Sequence, residues 1–216
     1  MDIIFLGHSS FKLKGKDASV VTDPFDPQMV GLKYSGVEGE IVTISHDHRD
    51  HNQANLVKGV KKVINGPGEY EIMGVSILGF PSFHDDKNGA ERGKNTIYVF
   101  EIDELRIAHL GDLGHELAEA LVGELGDIDI LLLPVGGTFT IGPEIAAKVV
   151  QAIEPSIVIP MHYQTPGLNA QGFAKLTGVQ EFLKALGLSV ECLPKLSIKK
   201  EDITEEMQKV VVLEKK

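Results

Sequence analysis

The chain has 216 residues, 43% of them apolar and 24% charged, with a net charge of −10. That length can bury a sizeable core without covalent staples; the one cysteine, Cys192, excludes an intrachain disulfide and fits a reducing compartment. The acidic balance argues against a grip on nucleic acid or anionic lipid, which needs clustered Lys and Arg.

The first third reads as strands. "IIFLG" (3–7), "FKLKG" (11–15) and "ASVVTD" (18–23) are short, β-branched or alternating, and separated by Gly or Lys turns. A loop over 24–39 follows, then a strand, "EIVTIS" (40–45), and a short helix expected from near Asp50 to a stop at Gly59. Strands return at 61–66, 70–74 and 75–80, and a polar loop leads to a hairpin-like pair, 96–103 and 105–111.

From there the pattern alternates. Helical spacing over 115–126, 143–155 and 179–187 is interleaved with the continuous apolar runs "IDILLLPV" (128–135) and "SIVIP" (156–160), which suit strands buried on both faces. Late strands are expected at 188–194, with Cys192 half-buried, and at 209–214. Many strands followed by βα units predict an α/β fold of sheets covered by helices. No repeat or linker divides the chain, so residues 1–216 read as a single domain. No apolar run reaches membrane-span length, and the N-terminal run is too short for a signal h-region, so a cytoplasmic protein is expected.

The segment "ISHDHRDHN" (44–52) crowds metal-capable side chains into one loop. Other candidates lie where apolar runs end: His46 after "IVTIS", His84 after "VSILGFPSF", Asp112 after "LRIAHLG", and His162 after "SIVIPM". In α/β sheets that edge is where sites collect. His46 and His48 are two apart and point the same way in an extended segment. With His84 they would hold one ion. Asp50, His51 and His162 would hold a second, with Asp112 between the two. Three protein donors plus a shared carboxylate leave a position open, the mark of a catalytic site. Two such ions clamp a displacement and make hydroxide available at neutral pH.

"SHDHRDH" resembles the HxHxDH signature of the metallo-β-lactamase superfamily, whose later motif positions fall in order on His84, Asp112 and His162. "FLGHSSF", "VVTDPF", "GPGEYEI", "RGKNTIYVFE", "HLGDLGH", "PVGG" and "PMHY" resemble the small branch that includes L-ascorbate-6-phosphate lactonase. The resemblance covers roughly residues 1–165. It implies a four-layer αββα sandwich with the site at one edge between the sheets. It also implies hydrolysis with two divalent metal ions, zinc foremost, with manganese or iron as alternatives. Asp23 would support the metal loop without binding metal.

Around that set, His8 is expected to line the site, against substrate or a ligand carboxylate, or else to be a hairpin histidine. Asn95 could hold the loop near His84, and His115 could hydrogen-bond to a ligand, while His109 packs under the sheet. Arg92 or Lys94 could meet an anionic group. The glycines of "PVGG" fit either an oxyanion contact or a tight turn.

The expected activity is attack of metal-bound hydroxide on an ester, lactone or phosphoester bond of a small anionic metabolite. Asp50 would orient the nucleophile and carry a proton to the leaving group. Two alternatives share the fold: a mononuclear iron enzyme similar to persulfide dioxygenases, and a phosphodiesterase or nuclease. The expected partner is a small-molecule substrate, with neither nucleic acid nor membrane; a homo-oligomer is left open.

Overall fold

A computed structural model of the protein describes residues 1–204 and 206–216. Its strands form two sheets. The first contains β1 (Asp2–Gly7), β2 (Ser10–Lys14), β3 (Ser19–Thr22), β4 (Ile41–Thr43) and β5 (Lys62–Ile64). The second begins with the antiparallel run β6 (Gly68–Ile72), β7 (Val75–Phe83), β8 (Lys94–Ile102) and β9 (Leu105–His109), and continues into parallel strands β10 (Ile130–Pro134) and β11 (Ile157–Met161). The chain then supplies β12 (Ser189–Leu193) to the second sheet, β13 (Leu196–Ser197) to the first, and β14 (Lys209–Leu213) to the second. The spatial orders are β13-β1-β2-β3-β4-β5 and β12-β14-β11-β10-β9-β8-β7-β6.

The sheets pack face to face. Alternate residues of β1, β2 and β8 (Ile3, Phe5, Phe11, Leu13, Tyr98, Phe100) meet in a core that Ile130, Leu132 and Ile159 extend. Each aliphatic side chain fully buried there contributes about 1.5–3 kcal/mol. The other face of the second sheet is covered by α2 (Glu119–Leu125), α3 (Pro143–Ile153) and α5 (Val179–Leu186). Ile130–Pro134 is buried throughout because it has a layer on both sides. On the outer face of the first sheet, α1 (Pro27–Val30) and α4 (Ala170–Phe173) contribute Val30 and Phe173 to a third apolar layer. The four-layer αββα sandwich is therefore present.

Local expectations fare unevenly. Pro143 starts α3, and Glu154, in left-handed conformation, ends it just before Pro155, as the spacing predicts. The helix expected from near Asp50 to Gly59 is absent; only a 3-10 turn forms at Ala54–Leu56. Gln53 N–H donates to Pro24 O at 2.8 Å, which ties that stretch to a neighbouring loop. The 24–39 loop instead holds α1, capped by Asp26, which accepts Gln28 N–H at 2.8 Å. Cys192 is exposed rather than half-buried, because β12 is the edge strand. Among the described residues no helix is long and apolar enough to cross a membrane.

Candidate metal centre

Four strand ends deliver the cluster. Just past β4 comes His46, past β7 His84, past β9 Asp112, and past β11 His162. β4 belongs to the first sheet and the others to the second, so the groups meet where the two sheets open at one edge.

Asp112 is at the middle. Its Oδ2 lies 3.2 Å from His51 Nε2, 3.2 Å from His162 Nε2, 3.4 Å from His84 Nε2 and 4.0 Å from His46 Nε2. Two sets of donors flank it: His46, His48 and His84 on one side; Asp50, His51 and His162, joined by His8, on the other. Within each set one ligand-capable atom per residue lies within 4.8 Å of all the rest. All seven residues expected from the sequence are brought together, and a third group, His46, His51 and Asp112, links the two sets.

These residues fit metal. Zinc bonds of about 2.0–2.2 Å set ligand-to-ligand edges of roughly 3.3–3.6 Å in a tetrahedron, near the spacings around Asp112. The buried Nε2 atoms of His46, His51 and His162, and Oδ1 of Asp112, have no hydrogen-bond partner. Such orphans are costly and rare. They belong to the overlapping donor groups around Asp112, where a cation would be their partner. No cysteine contributes; the donor set of imidazoles and carboxylates suits zinc, manganese or iron.

A buried carboxylate organises both sets. Asp23 Oδ1 accepts Ser45 N–H at 2.7 Å, and Oδ2 accepts Ser45 Oγ–H at 2.6 Å and His51 Nδ1–H at 2.9 Å. Ser45 Oγ in turn accepts from His46 Nδ1 at 2.9 Å. With the Nδ1 protons so placed, Nε2 of both rings is free to bind metal. Asn95 fixes the central loop: its Oδ1 accepts Asp112 N–H at 3.0 Å and its Nδ2 donates to Leu110 O and Ser82 Oγ. Three site residues adopt positive φ, 58° at His8, 39° at Asp23 and 51° at His162.

Burial pushes His46 down to about 3 and His8 down to about 4, the neighbouring His51 and His162, respectively, adding to the effect. Burial also lowers His84. Burial opposes charge on Asp112, but His162 and His51 outweigh it and hold the carboxyl well below its usual range. Asp50 is lowered likewise, against burial, by His51 and His8. His51 alone is raised, because Asp112 and Asp50 overcome its burial. The neutral rings of His8, His46 and His84 and the ionised Asp50 and Asp112 are in the protonation states metal binding requires, while His51 would give up a proton to a metal.

The remaining candidates separate. His109 is structural: Nε2–H donates to Ser9 O at 2.8 Å and Nδ1 accepts Gly111 N–H at 3.2 Å. Both ring nitrogens of His115 bond to backbone: Nδ1–H donates to Glu116 O at 2.9 Å, and Nε2 accepts Phe83 N–H at 3.3 Å and so braces the strand that delivers His84. Gly136 is explained by close approach, since a Cβ there would fall 2.1 Å from His162 O. Sequence reading missed Ser45, although it adjoins His46. It also missed Asp85, whose carboxylate takes the N–H groups of Lys87, Gly89, Glu91 and Arg92 and folds the loop after His84. The rings of Phe139 and Phe173, which border His162 at 6.4 and 6.5 Å, gave no signal either.

The scaffold has relatives. Residues 2–162 match the Beta-lactamase superfamily domain, a span from β1 to His162. A UPF0173 metal-dependent hydrolase of Thermococcus onnurineus is 35% identical, over 81% of this chain and 91% of its own. The chain belongs to the UPF0173 metal-dependent hydrolases of the metallo-β-lactamase superfamily. A UPF0173 hydrolase of Methanopyrus kandleri is 33% identical over 76% of this chain and 85% of its own. The crystal structure of a Thermotoga maritima protein assigned as a Zn-dependent hydrolase of the superfamily superposes with a TM-score of 0.80. It is 40% identical and covers 98% of this chain and 97% of its own. This UPF0173 hydrolase is accordingly a metal-dependent enzyme with a metallo-β-lactamase fold, and its buried His/Asp cluster is where a metal could bind.

Proposed function

We propose that this UPF0173 hydrolase holds two divalent ions, zinc foremost, and cleaves an ester, lactone or phosphoester bond of a small anionic metabolite. The observation that carries the reading is the shared carboxylate: Asp112 Oδ2 faces both donor sets, at 3.4 Å from His84 and 3.2 Å from His51 and His162. When bound, such a pair of ions acidifies water and polarises the bond to be broken. The chain's own groups orient and deliver protons. Water adds to the carbonyl carbon or phosphorus, the bond to the leaving oxygen breaks, and that oxygen takes up a proton. Asp50 is the group assigned to carry it, since its side chain is 11% exposed while those of Asp112 and His51 are at 2% and 0%.

Two features support an anionic substrate. The Arg92 guanidinium sits 5.8 Å over the Phe139 ring, which borders His162, and Nη2 donates to Thr138 O. The motif set also resembles the branch containing L-ascorbate-6-phosphate lactonase. Elemental mass spectrometry on protein purified without added metal tests the first half: about two zinc or manganese ions per chain are expected. A panel of lactones and phosphodiesters with chelator controls tests the second, and Arg92→Ala should raise KM for anionic members more than for neutral ones. One tightly held iron, with oxygen consumed on a persulfide substrate, would overturn the reading.

A further inference from the structure

We infer that His8 is a fourth side chain on the inner ion, so that this position is closed by protein while the His46–His48–His84 position is the open one; the inference rests on the binuclear reading above. His8 follows β1, far in sequence from the other donors, and lies outside the HxHxDH segment. Its Nε2 stands 3.1 Å from Asp50 Oδ2, just under the 3.2–3.4 Å that separates Asp112 Oδ2 from the Nε2 atoms of His51 and His84. A hydrogen bond to Asp50 alone would account for that distance. It would not require that a ring nitrogen of His8 also lie within 4.8 Å of donors from both His51 and His162, as it does. The ring is 4.2 Å from that of His162, and His162 N–H donates to His8 O at 2.9 Å, so the two loops fix each other's direction. The backbone at His8 is held at a φ of 58°, a conformation rarely adopted without a local constraint.

Exposure separates the two positions. The side chains of His8, His51 and His162 are 0%, 0% and 1% exposed. The inner set with Asp112 therefore offers five side chains, and only Asp50, at 11%, reaches toward water. The outer set with Asp112 offers four, and one of them, His48, is exposed. Closed positions hold structure and open ones admit substrate. The inner ion should be retained and the outer one exchanged, with substrate approaching from the His48 side.

The test is proton NMR of the protein loaded with cobalt(II), which shifts the exchangeable N–H signal of every ligating imidazole. Six shifted signals are expected, from His8, His46, His48, His51, His84 and His162. His8→Asn, which tolerates positive φ, should show five, and should hold the slowly exchanging cobalt about tenfold or more weakly in chelator competition. Five signals in the wild type, or an unchanged count in the variant, overturn the role of His8 and leave the binuclear reading intact. Failure of the wild type to take up any cobalt would overturn both. If the variant does not fold, the wild-type count alone decides.

Discussion

One buried carboxylate, Asp23, orients a histidine from each donor set: it accepts from His51 Nδ1 directly at 2.9 Å, and reaches His46 Nδ1 through Ser45 Oγ. Asp23→Asn keeps the shape and can still accept Ser45 N–H. Its amide nitrogen, however, faces two donors and cannot hold both protons on Nδ1. Metal affinity should fall by about 10–100-fold, as for other supporting partners of ligating histidines. Competition with a chelating dye measures it. Unchanged affinity, in a variant with native circular dichroism, would show that Asp23 does not set the two rings.

His109 provides the contrast. It is fully buried and three residues from Asp112, yet both its nitrogens are satisfied by backbone. His109→Ala leaves a cavity and strands Ser9 O and Gly111 N–H, at a cost of about 2–4 kcal/mol. Urea denaturation should show that loss while metal content per folded chain stays at the wild-type value. A loss of metal from folded protein would mean that the ring does more than pack.

The site was more legible than the local structure around it. Strand ends can be read from where apolar runs stop, and in this architecture they converge, so His46, His84, Asp112 and His162 fell together. The i, i+2 spacing of His46 and His48 likewise let them be placed together, beside His84. What could not be read depends on contacts distant in sequence. The 52–59 stretch has helix-tolerant composition, but Gln53 N–H is taken by Pro24 O. His115 is three residues past Asp112, a spacing silent about direction; Gly114 packs against the His84–Asp85 backbone and turns the chain so that His115 meets Phe83 N–H instead. Cys192 looked half-buried because alternation cannot distinguish an edge strand from an inner one. The Asp26–Pro27 pair, by contrast, was a readable signal for α1: a cap and a proline at the first turn.

Acid should destabilise the metal-free chain. In the fold His8 is held at about 4 and His46 at about 3, against an ordinary value near 6.5. As pH falls below 6.5 the unfolded chain takes up protons that these buried rings refuse. Stability is therefore lost between pH 6.5 and 4, by about 3 kcal/mol for each ring. The depressed pKa values of Asp50 and Asp112 add a further loss only below about pH 4, where those groups would protonate in the unfolded chain. His51 opposes the trend: raised in the fold, its contribution is complete below 6.5 and declines as pH rises through its folded value. Denaturant titrations of chelator-stripped protein at pH 7 and pH 4 measure the balance. Equal stability at the two values would mean that the rings are protonated in place.

Gly136 sets the position of His162 from behind. A Cβ at 136 would fall 2.1 Å from His162 O, and the backbone has little freedom to retreat. Val135 N–H donates to Met161 O at 3.1 Å and Gly136 O accepts Thr177 N–H at 2.8 Å. Gly136→Ala must therefore push the His162 loop, at a cost of about 1–3 kcal/mol or more for overpacking, and should weaken metal binding with it. Gly172→Ala is the control, because that position lies in α4 with nothing within 4 Å of a new Cβ. Replacing it should be neutral or stabilising by about 0.4–1 kcal/mol. Thermal melts of both variants with and without zinc separate the effects: a downward shift confined to Gly136→Ala, larger with zinc than without, is expected. Equal shifts in the two variants would mean that the close approach to His162 is not what requires glycine at 136.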